Sequence, residues 1–132
     1  MARRPPRPAS EYRLIVAPHY DEVRQRTVTR VRLETAQTFA SFAFEISVDE
    51  RREGTSSRYR VLGLNAPGVG LAGAGSARFQ RDYEGLNGTY TFTVIGLDGV
   101  GHRCAVAIDE KGVRQVSHPT GTGLALVTDV TA

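Results

Sequence analysis

Leu86-Asn87-Gly88-Thr89-Tyr90-Thr91-Phe92-Thr93-Val94 decides the fold class of this chain. A Gly turn feeds a strict alternation that puts Tyr90, Phe92 and Val94 on one face of an extended strand and Thr89, Thr91 and Thr93 on the other. One face is built for a core and the other for water. Gly88 gives the backbone freedom for a tight corner, and at this spacing the Tyr90 hydroxyl reaches back to the main chain.

The same period of two recurs outward from this stretch. Strands are expected at residues 12–17, 22–34, 38–49, 58–64, 77–83, 89–97, 102–109, 113–116 and 124–130, with a turn of helix within 77–83 as the one alternative. Turn chemistry separates them: Arg52-Glu53-Gly54-Thr55-Ser56-Ser57, Asp98-Gly99 and Glu110-Lys111-Gly112 each offer Gly where a hairpin needs positive φ. If 22–34 and 38–49 pair, Val31 faces Phe42, Leu33 faces Ala40 and Thr29 faces Phe44. Periodicity equally allows the two runs to lie in different sheets. The fold class expected is all-β, a two-sheet antiparallel β-sandwich with little or no helix.

The run from Leu86 to Val94 resembles the tyrosine-corner strand of bacterial immunoglobulin-like, fibronectin type III-like and PKD-like domains, where a turn and a last strand follow. Here Leu97-Asp98-Gly99-Val100-Gly101 leads into Cys104-Ala105-Val106-Ala107-Ile108. The resemblance implies an immunoglobulin-like sandwich and no particular activity. A single Cys and no Trp separate the chain from the antibody branch of that superfamily.

A length of 132 residues suits one domain able to bury a core without disulfides or metal. Residues 1–10 are rich in Arg and Pro and read as an extended arm carrying Arg3, Arg4 and Arg7, with the domain running from 11 to 132. The net charge is +3, and Lys111 is the one lysine among 17 Lys and Arg. No apolar run approaches the roughly 20 residues of a membrane helix, and Leu14-Ile15-Val16-Ala17 is too short for a secretory or twin-arginine signal. The location expected is therefore cytoplasmic as synthesised, or inside a particle.

Catalytic chemistry is thin. Gly68-Val69-Gly70-Leu71-Ala72-Gly73 matches G-x-G-x-x-G, but Ala74-Gly75-Ser76 and a charged alternating run follow instead of a helix, so it reads as a loop, with Val69 and Leu71 as its contact residues. His102 and Cys104 share a strand face about 7 Å apart, too far for a nucleophile–base pair. His19 beside Asp21 and Glu22 is a loose group, His118-Pro119 reads as surface loop, and no Ser stands in a G-x-S-x-G elbow. No catalytic residue, metal site or cofactor is expected.

The one constellation with physical content is Arg24, Arg26, Arg30 and Arg32, a cationic stripe ~27 Å long on one face of an extended strand. In the hairpin register above, Arg24 meets Asp49 and Glu45 lies near Arg26 and Arg30, which would mute it. The function expected is a non-catalytic structural or protein–protein interaction module, such as a subunit of a phage virion or surface layer, using the arm and the Gly-rich loop. The alternative is a binding module for an acidic glycan or nucleic acid through the arginine stripe. Its partner is then a protein or a second copy, with a polyanion as the other choice and neither membrane nor small-molecule cofactor.

Overall fold

A computed structural model of the chain describes residues 10–39, 45–65, 75–121 and 123–128, and every regular element within them is a strand. The strands are β1 (Ser10–Asp21), β2 (Arg26–Phe39), β3 (Glu45–Glu53), β4 (Ser56–Asn65), β5 (Gly75–Tyr83), β6 (Gly88–Ile95), β7 (Gly101–Asp109), β8 (Gly112–Ser117) and β9 (Gly123–Val127). Each overlaps a run read from alternation, and residues 77–83 are strand; β2 and β3 are displaced toward the C-terminus relative to the expected 22–34 and 38–49. The hairpin glycines adopt positive φ as their turns require: Gly54 at 60°, Gly99 at 80° and Gly112 at 133°. The Tyr90 hydroxyl does reach the main chain, accepting the Asn87 N–H at 3.0 Å.

The nine strands form one mixed sheet in the order β8-β7-β6-β4-β3-β5-β2-β1-β9, not the two separate sheets of the expected sandwich. Parallel pairs join what would otherwise be separate antiparallel groups: β4 with β6, β1 with β9, and β3 with β5 through Glu45 and Arg78. The expected pairing of 22–34 with 38–49 is also corrected. β2 lies between β1 and β5, where Val31 faces Val16 and Arg81, Leu33 faces Leu14 and Phe79, and Thr29 faces Pro18 and Tyr83. Phe42, Phe44 and Ala40 lie outside the described residues. A turn at residues 22–25 accounts for the difference, because it closes a ten-pair β1/β2 hairpin. Asp21 Oδ1 accepts the N–H groups of Val23 and Arg24 at 3.0 and 3.2 Å, and Gln25 takes φ 54°. An aspartate turn without Gly or Pro is easily read as continuing strand.

The two ends of the sheet approach each other, so that it curls into a nearly closed barrel. Thr120, just before β9, bonds to β7: its N–H donates to the Arg103 carbonyl at 3.0 Å and its Oγ1 accepts the Arg103 N–H at 3.0 Å. The buried His102 ring adds a 2.8 Å contact from Nδ1 to the Thr120 carbonyl. Gly123 lets this closure form: its φ is 122°, and a Cβ there would stand 3.1 Å from His102 Nε2. Gly123→Ala is expected to cost about 2 kcal/mol, mostly backbone strain. Gly121→Ala, at φ 72° and with 3.6 Å to the same ring, should cost less. Urea midpoints at constant m-value check both.

The barrel interior is filled by the inward side chains of the alternating strands. Tyr59, Phe92, Leu14, Leu33, Val16, Val31, Val94 and Val106 are all fully or almost fully buried. Tyr59 stacks on Phe92 with centroids 6.1 Å apart and tilts against Phe79 at 5.7 Å.

Candidate functional site

The arginines singled out in sequence lie in the β1/β2 turn and along β2, and each meets an acceptor. Arg24 reaches Glu84 at 2.8 Å and Asp21 at 3.6 Å, and Arg26 reaches Glu84 at 3.4 Å. Arg30 forks onto both oxygens of Asp82 at 2.9 and 3.1 Å. Arg32 bonds Gln80 and lies 3.5 Å from Glu34. The stripe is muted, but by β5 and the residue after it rather than by Asp49 and Glu45. Each of the four arginines thus lies within 3.6 Å of an acceptor, which offsets part of the charge of the stripe.

The Arg30–Asp82 fork carries a pH signature. Hydrogen bonds from Arg30, reinforced by its charge, hold the Asp82 carboxyl below the ordinary range against a smaller opposing push from burial. A depressed native pKa stabilises the fold above the unfolded value of about 4, and that stabilisation is lost as pH falls through the native value. Arg30→Ala should cost on the order of 0.5–1 kcal/mol at pH 7 and progressively less as pH falls below the ordinary aspartate range. Chemical denaturation of both proteins across that range checks it.

Other polar groups in the interior are bonded to one another. The Tyr83 hydroxyl donates to Glu50 Oε1 at 2.6 Å and lies 2.7 Å from the Tyr59 hydroxyl, while Arg81 holds the second oxygen of Glu50 at 2.9 Å. Burial pushes Tyr59 up to about 12, and burial with the bond to Glu50 carries Tyr83 higher still, so both remain protonated. Cys104 is wholly buried, and desolvation pushes its thiol up to about 11. Among the described residues no three His, Cys, Asp or Glu side chains gather as a metal-binding group.

Cationic surface lies instead on the outer face of β3, β4, β6 and β7. The strand registers align Arg51 with Arg58, Arg58 with Thr93, and Thr93 with Arg103 in one row across four strands. At about 4.8 Å per strand the row spans roughly 14 Å. It floors an open cavity of about 730 Å³ whose lining includes four arginines against one acid, Glu53. Arg52, the fourth, lies 4.5 Å over the Tyr83 ring. Arg51 has a loose contact to Asp49 at 3.6 Å, and among the described residues no carboxylate pairs with Arg58 or Arg103.

Sequence reading missed these three residues. Alternation with Tyr59 and with His102 and Cys104 marks Arg58 and Arg103 as outward, but only the parallel β4/β6 pairing brings β4 within one strand of β7, with β6 between them. Arg3, Arg4 and Arg7 of the arm and Val69 and Leu71 of the Gly-rich loop lie outside the described residues. Comparison of the chain with protein-family models, curated proteins and solved structures gives no match to any of them.

Proposed function

We propose that this chain is a non-catalytic structural or protein–protein interaction module, a subunit of a larger assembly. One observation carries the reading: the buried groups able to do chemistry, Tyr59, Tyr83, His102 and Cys104, are bonded or held protonated inside the barrel. Every buried side-chain nitrogen and oxygen among the described residues has a hydrogen-bond partner. The Cys104 thiol is kept protonated at neutral pH, and the His102 ring is bonded to the Thr120 carbonyl. A catalytic acid, base or nucleophile needs access and a pKa moved toward its working pH, and Cys104 is moved away from it. A barrel satisfied within itself leaves its outer surface and flanking segments as the working parts.

Light scattering coupled to size-exclusion chromatography tests this, on the full chain and on a version lacking residues 1–10, at low and high salt. A defined oligomer that persists at high salt and is lost with the arm is the expected result. A monomer under every condition overturns self-assembly.

A further inference from the structure

We propose that the cavity floored by Arg51, Arg58 and Arg103 is an oxyanion site for a compact ligand carrying two or more adjacent phosphate groups. This goes beyond the interaction-module reading and does not depend on it. Three observations converge on it. First, Arg51 stands directly opposite Arg58 in the β3/β4 register, a like-charge pair that costs stability unless an anion lies between the two. The contrast with β2 is internal to the molecule: there each arginine has an acceptor within 3.6 Å, whereas Arg58 and Arg103 have no carboxylate partner among the described residues.

Second, the side chains meet at one cavity rather than spreading over a flat face. They come from three strands, and Thr93 and Ser56 add hydroxyl donors to the same lining. Guanidinium forks match tetrahedral oxyanions, and several cations around one cavity favour a ligand whose charges are close together. Third, among the described residues no aromatic side chain lines the cavity, so none of them stacks a base or a sugar ring there. The grip is on the charged oxygens themselves, which favours an oligophosphate over a nucleic-acid strand.

Calorimetric titration of the full chain with inorganic tripolyphosphate in about 50 mM salt tests the site. Saturable binding is expected, weakened about tenfold or more by Arg58→Ala and again by Arg103→Ala. Arg30→Ala, whose fork to Asp82 lies on β2 and β5, should leave binding within about twofold. Arg58→Ala should also melt at the same temperature as the parent or higher, because it relieves the opposition to Arg51, and this separates lost binding from lost fold.

Absence of tripolyphosphate binding overturns the proposal, as does binding that survives the Arg58→Ala/Arg103→Ala double variant. A single-stranded oligonucleotide that binds where tripolyphosphate does not would reassign the face to a polymer backbone and overturn the compact ligand. A sulfated oligosaccharide that alone binds overturns the phosphate assignment. None of these results depends on the oligomeric state, so failure here and failure of the assembly reading are separately visible.

Discussion

Tyr59→Ala is expected to lower the free energy of unfolding by about 3–5 kcal/mol, the largest loss of any single truncation considered. Tyr59 heads the fully buried side chains by volume, at 0% exposure, and sits where β3, β4 and β6 curve round the interior. Its ring lies parallel to Phe92 within 10° and tilted by 55° to Phe79, so truncation removes both ring contacts and leaves a void. The hydroxyl contributes less. Tyr83 gives its own proton to Glu50, so Tyr59 is the donor in the 2.7 Å contact. Tyr59→Phe removes one donor and leaves an acceptor lone pair on Tyr83, at a cost of about 1 kcal/mol. Urea denaturation of both variants separates the terms. A phenylalanine variant as unstable as the alanine one would show that the hydrogen-bonded chain, not packing, holds this region.

The second large effect belongs to Glu34. Its carboxylate, with a side chain only 6% exposed, is approached by Arg13 of β1 at 2.8 Å, Arg78 of β5 at 3.4 Å and Arg32 of β2 at 3.5 Å. One anion therefore ties three strands together. Removing one partner of a buried pair costs 3–5 kcal/mol, and the arginines here are 30–58% exposed and can turn to water. Glu34→Ala should accordingly cost about 3 kcal/mol, toward the lower end, with three like charges left facing one another. Glu34→Gln keeps the shape and an acceptor and should cost about half as much. Added salt gives the sign: about 0.5 M NaCl screens the residual repulsion and should recover part of the loss in the alanine variant. A loss insensitive to salt would place the effect in packing rather than charge.

The placement of the strands was legible because it rests on local chemistry. Alternation marked all nine runs, and Phe92, Val94, Cys104, Val106 and Ile108 are buried as their parity requires. The turn glycines were visible for the same reason, since only a residue without Cβ enters those conformations freely. The aspartate turn at 22–25 was not, and merging it into a strand misdirected the pairing of β2.

The arginines visible in the sequence are the ones the fold supplies with partners. Four arginines close together in sequence drew attention, yet β5, some 50 residues on, supplies Asp82 and is followed by Glu84 to neutralise them. The row that keeps its charge is assembled from β3, β4 and β7, and no spacing within one strand announces it.

By itself, then, the sequence determined an all-β chain, the approximate position of its strands, with β2 and β3 the least well bounded, and which side chains of β6 and β7 face inward, because alternation and turn preference act over two to four neighbours. Tertiary structure alone decided that the strands form one curled mixed sheet, that Glu34 gathers three arginines, and that Arg51, Arg58 and Arg103 share a cavity. Strand order and charge pairing are set by which distant strands bury each other's apolar faces, and that choice is made by the whole chain at once.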